Sequence, residues 1–126
     1  MPRVGQPRRV EKPWGYELIW ADNDRYAGKL LFVRAGEALS LQYHERKHES
    51  WYVQSGRALL EVGTVGGTVE RIELRAGDVL QYPPRTVHRV TAIEDTTIFE
   101  ASTPELDDVV RLEDRYGRTG AGGASA

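Results

Sequence analysis

The sequence contains no cysteine, which excludes thiol nucleophiles, disulfide scaffolds and cysteine-ligated zinc sites together. It has no run of eighteen apolar residues and therefore no helical membrane span. Its opening, MPRVGQPRRVEKPWG, lacks the apolar core of a secretory signal, so a soluble, cytoplasmic protein is expected. An excess of one charge is also missing. Seventeen basic against nineteen acidic side chains leave a net charge of -2, so neither nucleic acid nor an anionic membrane is expected as a partner. With 126 residues the chain suits one domain, and a chain of that size buries roughly two-thirds of its unfolded surface without staples.

What is present is a succession of short β-branched or aromatic segments punctuated by Gly, Pro and Asp: GYELIW, KLLFVRA, LSLQYH, SWYVQSG, RALLEVG, TVERIEL, DVLQY, HRVTAI and TTIFEAS. Nine candidate strands, spaced by about ten residues and alternating in polarity, predict an all-β antiparallel sandwich or barrel. Helical periodicity is nearly absent. At most one short C-terminal helix is expected, starting at Thr103-Pro104, where a capping residue, an N1 proline and early acids coincide. Residues 1–11 read as an N-terminal arm, 12–118 as the barrel and 119–126 as a flexible tail. VRAGEALSL and LRAGDVLQY repeat an Arg-Ala-Gly turn before a strand, as the two halves of a jelly roll would.

Three histidines, His44, His48 and His88, are few enough for their placement to be informative. In SLQYH the two-residue period puts Gln42 and His44 on one face. Glu49 opens the next strand, and His88 follows the turn Pro83-Pro84-Arg85-Thr86. Two imidazoles, a carboxylate and an amide oxygen suit a divalent first-row metal with positions left open for chemistry. The same side chains would also serve as ordinary surface groups of a half-exposed strand; their spacing argues for the ion.

That spacing resembles the cupin superfamily. Gly36, Gln42, Tyr43, His44, Glu49 and Gly56 follow its first motif, with Gln in the first His position, and Gly77, Pro83 and His88 follow its second, with Arg85 where Gly is common. Within cupins the chain is most similar to the C-terminal domain of type II mannose-6-phosphate isomerases, from Lys12 to Arg118. KPWG, GEALSLQYH and DDVVRLEDRYGR carry that likeness. The resemblance implies a cupin jelly-roll β-barrel of two antiparallel sheets, with Gln42, His44, Glu49 and His88 as metal ligands. It makes zinc the first choice; manganese, iron or nickel suit the same donors. It also implies a homodimer, with the N-terminal arm a candidate for exchange.

The family's Glu-His-Trp is here Glu49-Ser50-Trp51, and Arg46 stands at a family His. The nucleotidyltransferase domain that often precedes this cupin does not appear in the sequence, so nucleotide-sugar synthesis is not expected of it. The implied activity is a metal-dependent sugar-phosphate isomerase taking a small-molecule sugar or sugar phosphate. Glu100 is the candidate base, with Glu17 a weaker one; Lys29 is the candidate phosphate ligand, and His48 a candidate acid or base at the cavity mouth. Arg34, Arg46, Lys47, Arg85, Arg89, Arg111 and Arg118 are further cations for a phosphate that the sequence does not rank, most of them reading as solvated surface charges. Trp14, Trp20, Trp51 and Tyr43 could line a sugar platform or fill the core. Two other readings stand beside the isomerase: a non-haem iron cupin dioxygenase, and a non-catalytic metal- or sugar-binding module.

Overall fold

The computed structural model describes residues 1–121 and resolves the alternating segments into twelve strands. These are β1 (Arg8–Lys12), β2 (Gly15–Asp22), β3 (Ala27–Val33), β4 (Leu41–Tyr43), β5 (Glu49–Ser55), β6 (Arg57–Thr64), β7 (Val69–Arg75), β8 (Val79–Tyr82), β9 (Thr86–Ala92), β10 (Thr96–Ser102), β11 (Val110–Glu113) and β12 (Gly120–Ala121). They form two six-stranded antiparallel sheets, ordered β1-β2-β3-β10-β5-β8 and β12-β11-β4-β9-β6-β7. All nine segments singled out in the sequence are strands. Residues 122–126 of the expected tail lie outside the described residues. Among those described, no helix is long and apolar enough to cross a membrane.

Alternation decides what enters the space between the sheets. In β5, Glu49, Trp51 and Val53 point inward, and in β10 Thr96, Ile98, Glu100 and Ser102 do. Half of the barrel is an apolar core built from Trp14, Leu31, Val33, Val53, Leu60, Val90 and Ile98, each fully buried. Each such side chain contributes about 1.5–3 kcal/mol on leaving water. The other half of the interior takes the inward polar residues of the same strands, and this division positions the site. Of the four aromatics considered for a sugar platform, Trp14 and Trp51 are buried in the core, Tyr43 is half-buried and Trp20 is exposed.

The repeated Arg-Ala-Gly turns are corners, and Gly36 and Gly77 both adopt positive φ, +84° and +97°. The expected helix after Thr103-Pro104 does not form. Leu106 N–H donates to the Pro104 carbonyl and Asp108 N–H to that of Glu105, so the segment closes in short turns. The Asp108 carboxylate is drawn away to the amides of Glu45, Arg46 and Lys47, and this tertiary pull overrides the local capping signal.

Gly56, between β5 and β6, has φ +95°, and a Cβ there would lie 2.3 Å from the Asp95 carbonyl oxygen. Gly66 has φ +78° with open space around it. Gly56→Ala is expected to cost at least about 2 kcal/mol in urea unfolding, because strain and overlap act together. Gly66→Ala should cost about 1 kcal/mol, from backbone strain alone. Equal costs would contradict the close packing of β5 against the Asp95 turn.

Candidate metal centre

Cross-strand register assembles the centre. Gln42 of β4 is the direct partner of His88 of β9, so both side chains share the inner face of one sheet. Glu49 of β5 faces them from the other sheet. Ligand atoms of His44, Glu49 and His88 lie within 4.8 Å of one another, and all three residues are buried. Gln42 is 1% exposed and borders the same pocket, together with Leu39, Lys47, Trp51 and Glu100. The structure thus brings together all four residues predicted as metal ligands, and Glu100 with them.

The tautomers follow from main-chain contacts. His44 Nδ1 bonds the Asp108 carbonyl, and His88 Nδ1 lies 2.9 Å from the Thr86 carbonyl. A carbonyl only accepts, so each Nδ1 carries the proton and each Nε2 presents a lone pair. Those two lone pairs look toward Glu49: His44 Nε2 is 2.9 Å from Oε2, and His88 Nε2 is 3.9 Å from Oε1. A neutral Nε2 has no hydrogen to give, and Glu49 Oε2 is buried without a hydrogen-bond partner. Lys47 Nζ, 3.4 Å from that oxygen, offsets the carboxylate's charge, while the two buried Nε2 lone pairs facing it call for a cation or an added proton. Imidazoles anchored through Nδ1 to carbonyls are also the usual support of metal-ligating histidines. The residues fit a divalent ion.

Charge around the trio points the same way. Burial tends to raise the Glu49 carboxyl, but Lys47 beside it, joined by either imidazole when that ring carries a second proton, outweighs burial and holds it well below the usual carboxylate range. Burial pushes His88 down against the opposing pull of Glu49, keeping the imidazole neutral and able to ligate. Tyr82, stacked on His88 with ring centroids 4.4 Å apart, is held protonated by burial and by Glu49 and Glu100.

Lys47 was expected at the surface and is instead 1% exposed. Its Nζ stands 3.4 Å from Glu49 Oε2 and 3.1 Å from Glu100 Oε2. Burial works against its charge, and the two carboxylates more than restore it. The signal available in the sequence was the period of two, since Lys47 shares a face with Glu49 if the strand is continued backward. Asp108 carries no such signal, because it acts through its carbonyl and its loop-binding carboxylate. Arg85, at the position where cupins commonly have Gly, adopts φ 65°; its N–H donates to the His44 carbonyl and its guanidinium pairs with Glu45.

Two other predicted residues lie elsewhere. His48 is exposed and supplies none of the converging ligand atoms, but it lines the same open cavity of about 550 Å³ as Glu49 and Tyr82, at the mouth of the site. Lys29 is buried next to the site, with Nζ 3.4 Å from Glu17 Oε2. It stands directly opposite Glu100 across the β3–β10 ladder.

His44→Ala and His88→Ala are expected to lose bound metal, read by elemental analysis, whereas His48→Ala should keep it. Retention in both of the first two variants would contradict the ligand set. The His88 shift fixes a pH dependence for metal-free protein. An imidazole with a folded pKa below its unfolded value near 6.5 binds fewer protons when folded, so stability is full above about pH 6.5 and lost as pH falls. The urea midpoint should drop between pH 7 and 5.5, and less so in His88→Asn. A flat wild-type midpoint across that window would contradict a neutral, buried His88.

A family model described as mannose-6-phosphate isomerase C-terminal matches residues 3–114. Mannose-1-phosphate guanylyltransferase ManC of Salmonella typhimurium is 37% identical over 120 residues, covering 88% of this chain and 23% of that protein. Xanthan biosynthesis protein XanB of Xanthomonas campestris is 34% identical over 118 residues, covering 89% of this chain and 24% of that protein. The chain spans about a quarter of the length of the curated relatives it matches. Among solved structures, Bacillus subtilis oxalate decarboxylase, a protein with Mn(II) centres, superposes with a TM-score of 0.71 at 27% identity, over 86% of this chain and 30% of that one. KdgF of Halomonas sp. superposes with a TM-score of 0.68 at 23% identity, over 78% of this chain and 86% of that one. With two antiparallel sheets, an inward His–Glu–His trio and a family match across most of its length, the chain belongs to the mannose-6-phosphate isomerase C-terminal family and has the cupin fold.

Proposed function

We propose that this domain is a metal-dependent aldose–ketose isomerase acting on a sugar phosphate of the mannose-6-phosphate kind. The observation that carries the reading is a second buried carboxylate, Glu100, in the same pocket as the His44–Glu49–His88 trio and joined to it through Lys47. Isomerisation moves a proton between adjacent carbons, which requires a base and a means of stabilising the oxygen that gains charge. A divalent ion bound by His44, Glu49, His88 and Gln42 supplies Lewis acidity for that oxygen. Zinc follows from the family resemblance, and the Mn(II) centres of the oxalate decarboxylase make manganese the second candidate.

Glu100 is the proton carrier in this reading. Its Oε1 accepts from Trp51 Nε1 at 3.2 Å and its Oε2 from Lys47 Nζ at 3.1 Å, which fixes the carboxylate plane. Each oxygen keeps a further lone pair for a substrate proton. Lys47 also stands 3.4 Å from Glu49 Oε2, so one ammonium bridges the base and the ion's carboxylate ligand. His48 has no part in this scheme.

One observation favours a binding-only module as the second reading: both oxygens of Glu100 are already engaged. Mannose 6-phosphate and fructose 6-phosphate interconversion, followed by NMR, separates the two. The isomerase reading expects turnover that stops with chelator and returns with zinc or manganese. It also expects Glu100→Gln to lower kcat by about 100-fold or more with metal content unchanged. Saturable binding without turnover would select the module, and full activity in Glu100→Gln would remove Glu100 from the chemistry.

A further inference from the structure

The two sheets present different faces to solvent. On the sheet that holds β9, β6 and β7, the outward positions include Arg57, Glu61, Arg71, Glu73 and Arg89. Arg57 pairs with Glu73 and Arg89 with Glu61, each at 2.8 Å, as on a solvated antiparallel face. The other sheet is built differently. Between Tyr16 and Trp20 of β2, and along β3, β10, β5 and β8, no outward position among the described residues carries a charge. In a chain in which 29% of residues are charged, a solvated face would carry several. Large apolar side chains stand there instead. Val79 is 71% and Trp20 56% exposed, Tyr52 and Phe99 are exposed as well, and Leu30 and Phe32 are half-buried beside them. A Cβ on Gly28 would lie 2.5 Å from the Trp20 ring, so the indole is laid down against the sheet over that glycine. A groove of about 350 Å³ runs between Trp20, Tyr52, Val79 and Phe99, over the small side chains of Ser50 and Ala101.

Five strands about 4.8 Å apart, each with two or three outward residues about 6.8 Å apart, make a face of roughly 24 by 20 Å. With side-chain relief its accessible surface is on the order of 700 Å². That exceeds what a monomer ordinarily leaves apolar and approaches the roughly 800 Å² that each partner of a standard-sized complex buries. The charge pattern selects the partner. A two-fold contact lays a patch against itself, so a charge near its centre would meet its own like. A different protein would be steered and registered by complementary charge, which this face does not offer. Charge begins at the edge, on β1, where Arg9 and Glu11 pair at 2.6 Å and the Arg9 guanidinium covers the Tyr16 ring. An uncharged aromatic centre inside a polar rim is the anatomy of a protein interface. We propose that the outer face of β2, β3, β10, β5 and β8 docks a second copy of this chain, face to face. β1 pairs with β2 of its own chain from Arg8 to Lys12, so the contact uses the sheet surface and needs no exchange of the N-terminal arm. The groove shares Ser50, Gln81 and Ala101 with the cavity at the mouth of the metal site, so the second copy borders that entrance. The contact is independent of the reaction at the metal centre.

Sedimentation equilibrium of the full chain over an about hundredfold range of micromolar concentrations tests it. A dimer is expected. Tyr52→Glu and Phe99→Glu each bring like charges into the contact and should weaken it about tenfold or more, with circular dichroism and metal content unchanged. Val69→Glu puts the same charge on an exposed apolar position of the opposite sheet and should leave the dimer intact. Because the chain has no cysteine, Ala101→Cys supplies a second readout at an exposed groove residue. Its thiol should react with a maleimide about tenfold more slowly where the dimer forms than after dilution. Should either glutamate variant fail to fold, Ala101→Cys carries the test. A wild type that stays monomeric throughout the range would overturn the proposal and leave the face to a different partner. So would a dimer that neither Tyr52→Glu nor Phe99→Glu weakens, or an Ala101→Cys thiol that reacts equally fast at both concentrations.

Discussion

Two main-chain carbonyls, those of Asp108 and Thr86, determine what the centre of this barrel can do. By taking the Nδ1 protons of His44 and His88 they turn both Nε2 lone pairs toward Glu49. Ordinary core packing would not leave two imidazole lone pairs buried against a carboxylate, because each unmet one costs about 1–3 kcal/mol. The surrounding strands hold the arrangement in place. β4 and β9 place Gln42 against His88, and the Asp108 carboxylate gathers the amides of the 45–47 loop, so that His44 and Lys47 enter together.

Outward from this centre the interior is a chain of alternating charge. Glu49 meets Lys47, Lys47 meets Glu100, Glu100 stands opposite Lys29, and Lys29 meets Glu17. Inside a protein such pairs give little net stability, since the cost of removing charges from water consumes most of the attraction. Their consequence is positional. Each carboxylate is held in a fixed orientation, which suits a site that binds a cation at one end and handles a proton farther along. The apolar half of the barrel, anchored by Trp14, Leu60 and Ile98, supplies the stability that the polar half does not.

Much of this was legible in the sequence, and the legible part was the local part. Alternation identified nine strands, and the spacing of Gln42, His44, Glu49 and His88 identified the trio and its amide neighbour. What escaped depends on contacts between residues far apart in the chain. Lys47, in the charged run HERKHE, reads as solvated until the fold places Glu100 against it. Arg111 reads as one of many arginines until the β11–β4 register sets it beside Gln42. The Thr103-Pro104 helix signal was local chemistry, and it could not register that the Asp108 carboxylate bonds three amides of the 45–47 loop. His48, one residue before β5, stays at the mouth of the site, lining the same open cavity as Glu49.

In the proposed function, His44, Glu49 and His88 converge because they hold an ion. Anomalous diffraction from crystals of the protein purified without chelator, collected on both sides of the zinc and manganese absorption edges, tests this most directly. The account predicts a single strong anomalous peak within coordination distance of both Nε2 atoms and a Glu49 oxygen, with Gln42 turned toward it. A fully ordered site with no anomalous signal there, and His44 protonated and hydrogen-bonded straight to Glu49, would contradict it.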